Sequence, residues 1–130
     1  MLKTRCSGHL EANAGSLFTL SRTFSTPGDE GDDYTKITHP PTALTLAPLA
    51  TDQKVNLCQL TQVTILFIES DFPINIRIGS VTNTPVPVRS FLLMTTDFVN
   101  DPAPLSTTGL FISNPSATDT AAVTITAVGN

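Results

Sequence analysis

Residues 72–80, FPINIRIGS, set Ile74, Ile76 and Ile78 against Asn75 and Arg77, and this strict alternation limits what the chain can become more than any other feature. Successive side chains of an extended chain point to opposite faces, while helical neighbours recur about every 3.6 residues, so the segment is expected to be a strand with one buried and one wet face. The run AAVTITAVG (121–129) repeats the pattern, with Val123, Ile125 and Ala127 facing one way and Thr124 and Thr126 the other. TALTLAP (42–48) places Leu44 and Leu46 on one face, and SLFTLSRTFS (16–25) does the same with Phe18, Leu20 and Phe24. QVTILFIES (62–70) is denser in apolar residues and suits a central strand. Its neighbour LCQLTQV (57–63) has room for one helical turn.

Two later runs complete the set. VPVRSFLLMTT (86–96) reads as a strand that becomes apolar on both faces, with Pro87 best placed at an edge because it offers no ladder donor. GLFIS (109–113) and AAVTITAVG read as a hairpin-like pair around NPSATDT, whose Asn114 and Pro115 suit the start of a turn. Such one-sided strands need a facing layer to bury them. The expected fold is therefore all-β, a single antiparallel β-sandwich of jelly-roll or immunoglobulin-like type, with seven or eight strands and an irregular amino-terminal segment. A chain of 130 residues suits one domain, and its 21 Thr, 10 Ser and 10 Pro favour strands and turns over long helices.

Residues 1–39 carry nine of the eighteen charged side chains. Much of that charge lies in STPGDEGDDYTK (25–36), where Pro27, Gly28 and Gly31 break regular structure and Asp29, Glu30, Asp32 and Asp33 repel one another, as in an exposed loop. The expected organisation is an irregular arm or loop region over 1–40 and a sandwich over 41–130, with the strand at 16–25 joining the sandwich. The segment KITHPPTALTLAP (36–48) is apolar and extended enough to lie along a neighbouring subunit.

The charge pattern also bears on partners. Net charge is −4 and the seven basic residues are scattered singly, so neither nucleic acid nor a membrane surface is an expected partner. Lys3 and Arg5 precede no long apolar run, which argues against a signal peptide, and the most apolar window (63–68) is too short to span a bilayer.

Reactive groups are few. Cys6 and Cys58 lack CxxC or Cys/His spacing, and Cys58 is expected to be a buried neutral thiol. His9 and His39 lie in the less regular third of the chain, away from any nucleophile motif, and suit packing or surface roles. Glu69 and Asp71 form a carboxylate pair, yet two positions on one strand are too close to straddle a glycosidic bond, and ESDFP reads better as a strand leaving the core. The acidic cluster at 29–33 lacks the spacing of a calcium loop. No enzyme, cofactor or metal site is expected.

GLFISNPSATDTAAVTITAVGN and VTILFIESDFPINIRIG together resemble the small β-sandwich virion proteins of tailed bacteriophages. The resemblance covers roughly residues 55–130 and implies a head decoration or cement protein, a head-fibre base or a tail component. It also implies a location in the virion after synthesis in the host cytoplasm, and a homo-oligomer, with a trimer first, bound to the major capsid protein or other virion proteins. Low charge suits such a role, since the cores of protein interfaces are depleted of Lys, Glu and Asp. The alternative expectation is a carbohydrate- or host-surface-binding module, in which Asn83, Asp97, Asn100 and Asp101 of SVTNTPVP (80–87) and TTDFVNDPAP (95–104) hydrogen-bond sugar hydroxyls.

Overall fold

In a computed structural model, the backbone is described for residues 2–4, 7–13, 19–25, 32–34 and 36–37, and residues 42–95 and 97–130 are described with their side chains. The chain divides into two compact units, Met1–Thr35 and Lys36–Asn130. In the first, β1 (Leu2–Thr4) pairs antiparallel with β4 (Asp32–Tyr34), and β2 (Ser7–Asn13) pairs with β3 (Thr19–Ser25). These short strands lie within the segment 1–40 expected to be irregular. The unit boundary falls after Thr35, and within the run 16–25, expected to be a strand of the sandwich, Thr19–Ser25 pairs with β2. In this pairing Leu20, Arg22 and Phe24 find ladder partners in Ala12, Leu10 and Gly8. Residues 26–31, the centre of the acidic loop, and residues 38–41, which include His39, lie outside the described residues, as do the side chains of Phe18, Leu20 and Phe24.

The second unit contains β5 (Lys36–Ile37), β6 (Thr42–Leu46), β7 (Gln53–Lys54), β8 (Gln62–Ser70), β9 (Ile74–Ser80), β10 (Val86–Val88), β11 (Phe91–Met94), β12 (Phe98–Val99), β13 (Thr108–Ser113) and β14 (Ala121–Gly129). One sheet has the order β10-β9-β13-β7. The other runs β11-β8-β14-β5, with β12 continuing the β11 edge along β8 and β6 sharing the β5 edge along β14. Every pairing is antiparallel. With each interrupted edge taken as one strand, the sheets hold strands 5-4-7-2 and 6-3-8-1 in chain order. That interleaving, in which successive strands pass from one sheet to the other except for the β9–β10 pair, is a jelly roll rather than the immunoglobulin arrangement.

The alternating runs explain the core. Ile74 and Ile76 of β9, Leu110 and Ile112 of β13, Ile68 of β8 and Val123, Ile125 and Ala127 of β14 meet in one buried cluster, with Ile78 and Leu44 packed against it. Each buried Ile or Leu side chain contributes about 1.5–3 kcal/mol relative to an exposed one. β8 is central, as its density of apolar residues implies, but its alternation breaks: Val63 and Leu66 both enter the core. The reason is a bulge. Val128 opposes Ile65 while Gly129 opposes Val63, so Thr64 is the extra residue that reverses the parity of the strand. At that point a Cβ on Gly129 would collide with the Gln62 carbonyl, which accounts for glycine here.

Two expected continuities are broken. VPVRSFLLMTT is not one strand: β10 belongs to the first sheet and β11 to the second, and Arg89 and Ser90 carry the chain across. Its two apolar faces are therefore two inward faces in succession, with Val88 in the core and Leu92 and Met94 packed against it. Pro87 does lie on an edge strand. GLFIS and AAVTITAVG are likewise not a hairpin, since β13 and β14 lie in opposite sheets.

The arch between β13 and β14 is held by Asn114, which is 1% exposed. Its Nδ2 donates to the carbonyls of Leu46 (3.2 Å), Ala47 (3.2 Å) and Asp119 (2.7 Å), and its Oδ1 accepts from the Ser116 N–H at 3.0 Å. Within the arch the Ser116 hydroxyl accepts from the amides of Thr118 and Asp119. Backbone bonds from Asn114 to Ala50 and from Leu49 to Ser116 tie it to the β6–β7 connection.

Candidate functional site

Three connections meet at one end of the sandwich: residues 55–61, 81–85 and 100–107. Val81 N–H donates to Thr107 O at 3.0 Å, Asp101 N–H to Thr108 O at 3.3 Å and Asn100 N–H to Thr61 O at 2.9 Å, so these loops are fastened to one another. Between the first and third lies a cleft of about 320 Å³. One wall is Lys54 at the end of β7 and the chain after it, including Asn56 and Cys58; the other is Asn100, Asp101, Pro102 and Pro104.

Each polar group of the cleft has an identifiable support. Lys54 opposes Phe111 in the β7–β13 ladder, its ammonium 5.6 Å from that ring. Its Nζ donates to Thr108 O at 2.6 Å and Ser106 O at 3.4 Å. Asp101 Oδ1 accepts from the Ala103 N–H at 2.9 Å. That bond first, and then the Ser106 side chain, hold the Asp101 carboxyl below its ordinary range; burial opposes them, and the nearby Lys54 charge adds the smallest effect. The folded carboxyl thus binds its proton more weakly than an unfolded one. Its contribution to loop order is present above the ordinary aspartate pKa of about 3.9 and is lost as pH falls through the lower folded value. The Ala103 amide should accordingly titrate in NMR spectra with a midpoint below about 3.9, the value for a free aspartate.

Asn100 forms the floor. It is 2% exposed, and its Nδ2 donates to Leu60 O at 2.5 Å. Its Oδ1 is buried with no hydrogen-bond partner, the only such side-chain atom among the described residues. A buried acceptor left unpaired costs about 1–3 kcal/mol. The atom is packed against Gly109, where a Cβ would stand 2.6 Å from Oδ1 and 3.3 Å from Lys54 Nζ.

Cys58 departs from expectation: it is exposed, at φ 58°. Leu57 and Leu60, both 1% exposed, take the two inward positions of this turn and leave the thiol outside. The turn closes through Leu60 N–H to Leu57 O at 3.3 Å and Cys58 N–H to Asn56 Oδ1 at 2.9 Å, and no helical turn is present. Sequence reasoning named Asn100 and Asp101 as sugar contacts, but Asn100 is buried and Asp101 already accepts from its own loop. Asn83 is committed to loop closure, donating to Ile78 O at 2.7 Å while Arg77 donates to its carbonyl. Asp97 is exposed outside the cleft lining.

Glu69 and Asp71 do not form a paired site. Glu69 is exposed on β8, whereas Asp71 lies past its end and accepts from the Ala122 N–H at 2.7 Å, fixing the strand exit to β14. His9 is exposed on β2. Among the described residues no group of three His, Cys, Asp or Glu could hold a metal ion, and no helix is long and apolar enough to cross a membrane.

A second feature is a surface. On the outer side of β8 and β11, Phe91 is 65% exposed and its ring lies 6.4 Å from that of Phe67. Leu93, opposite Phe67, is half-buried beside them. Thr124 and Thr126 of β14 border this patch at the positions facing Glu69 and Phe67. Comparison with known proteins finds no matching family model, curated protein or solved structure.

Proposed function

We propose that the protein is a non-enzymatic structural component of a virus particle that binds and stabilises the capsid in the manner of a decoration or cement protein. The observation that carries this reading is the Phe67, Phe91 and Leu93 patch on an otherwise threonine-rich sheet face. An apolar cluster displayed on a rigid sheet, rimmed by the hydroxyls of Thr124 and Thr126 and by the single carboxylate of Glu69, fits a protein contact. The jelly-roll order adds an analogy of fold, since viral capsid domains are among its users, although lectins and cupins share it.

The reading entails self-association through closed symmetry, with three copies as the expected assembly. Size-exclusion chromatography with light scattering tests it. The native protein should run as a trimer, and Phe91→Glu, which replaces the exposed ring with a second carboxylate beside Glu69 without touching the buried cluster, should release monomers that retain their β spectrum. A native protein that is strictly monomeric and never binds particles would remove the basis of the proposal.

A further inference from the structure

We propose that residues 101–106 form a lid over the cleft and that the Lys54 ammonium is its two-position latch, bonded to Ser106 O while the lid is shut and to Asn100 Oδ1 once it is released. The lid is a body of its own. Ala103 N–H donates to Asp101 Oδ1 at 2.9 Å and Ser106 N–H to Ala103 O at 3.1 Å, so the turn keeps its shape without help from the sandwich. Its fastenings are longer: Asp101 N–H reaches Thr108 O at 3.3 Å across the base, and Lys54 Nζ reaches Ser106 O at 3.4 Å from the opposite wall. Pro102, Ala103, Pro104 and Leu105 are exposed, so little apolar burial holds the lid down.

The second position of the latch follows from Asn100. Its Oδ1 is closed to solvent and has no hydrogen-bond partner, so neither water nor a solute can satisfy it and only a neighbouring side chain can. Lys54 is that neighbour. The point that a Gly109 Cβ would occupy lies 2.6 Å from Asn100 Oδ1 and 3.3 Å from Lys54 Nζ, and glycine puts no atom there. An ammonium carries three donors, so the short bond to Thr108 O, 2.6 Å, can persist while the long one to Ser106 O is exchanged for Oδ1. Little opposes that exchange. Ser106 O, at the edge of an exposed loop, regains water when it is let go, whereas Oδ1 gains a bond it has no other way to make. Two arrangements so closely matched are both populated. On release Pro102 and Pro104 draw away from Asn56 and Cys58, so the cleft of about 320 Å³ is the closed form of a wider groove. The latch does not rest on the particle reading, because it shares no residue with the Phe67, Phe91 and Leu93 patch.

NMR relaxation dispersion on isotope-labelled full-length protein reads both positions of the latch at once. The native protein should show a released state of about 0.1–10% population, exchanging on the microsecond-to-millisecond scale. One common rate is expected at the amides of Asp101, Ala103, Leu105 and Ser106 and at the Asn100 Nδ2 protons, whose own carbonyl gains a partner in that state. The amides of Ile76 and Ile112, in the centre of the sheet, should stay silent. Lys54→Met keeps an apolar stem beside Phe111 and removes the donor. It should move the lid amides to the shifts of the native minor state, speed hydrogen exchange of the Asp101 amide at least about tenfold, and abolish the dispersion at Asn100 Nδ2. The native profile decides the matter by itself should that variant fail to fold. A flat profile at the lid amides, a rate there that differs from the rate at Asn100 Nδ2, or dispersion that persists unchanged in Lys54→Met would overturn the proposal.

Discussion

Gly109→Ala should destabilise the sandwich by about 2–5 kcal/mol, because two costs coincide at one atom. Gly109 sits at φ 143°, a conformation that side-chain-bearing residues rarely adopt. The added methyl would also meet Asn100 Oδ1 at 2.6 Å. Neither neighbour yields freely: Gly109 is paired with Gly79 in the β9–β13 ladder, and Asn100 is bonded to Leu60 and Thr61. Chemical denaturation of the two proteins measures the difference. Combining Gly109→Ala with Asn100→Ser should recover part of the loss, giving a non-additive cycle of about 1 kcal/mol. Strict additivity would mean that the backbone conformation alone carries the cost.

Asn114→Asp should cost about 3–5 kcal/mol despite preserving shape. The amide donates to three carbonyl oxygens, two at the end of β6 and one within the arch, and the substitution would turn that donor edge into a buried negative charge facing them. The defect should be pH-dependent. The introduced carboxyl prefers its proton in the folded state, so the variant gains stability relative to native protein as pH falls toward about 4. Thermal melts at neutral and acidic pH check both the size and the sign. Asn114→Ser, which keeps one donor, should fall between the two.

How much of this was legible in the sequence can be followed residue by residue. The inward faces of β6, β9 and β14 are written in local alternation, because a strand that buries one face must place Ile74 and Ile76, or Val123 and Ile125, two apart. Which sheet a strand joins is not local. β10 and β11 are separated by two residues and belong to opposite sheets, a distinction carried by long-range pairing rather than by the pattern of VPVRSFLLMTT. The bulge at Thr64 is hidden for a similar reason, since a continuous apolar run conceals a change of parity. The cleft was half visible: polar residues 100 and 101 stand out in a loop, but Lys54 and Asn56 come from a segment whose approach depends on β7 joining β13. The exposed Cys58 follows from its leucine neighbours claiming the core, a competition that residue type alone does not reveal.

The interrupted borders of the two sheets bear on how copies can meet. One sheet ends in the three-residue β10, with Pro87 at its middle, and in the two-residue β7; the other ends in strands split into β11 with β12 and β5 with β6. A border of that kind offers an incoming strand only a few consecutive hydrogen-bonding groups before the template fails. From these two sheets, chain-to-chain growth by strand addition, which would run on without limit into fibres, is starved of a start. Were copies of this unit to associate, the broad sides would be left for contact, where rotation could close a ring and end growth with the last copy.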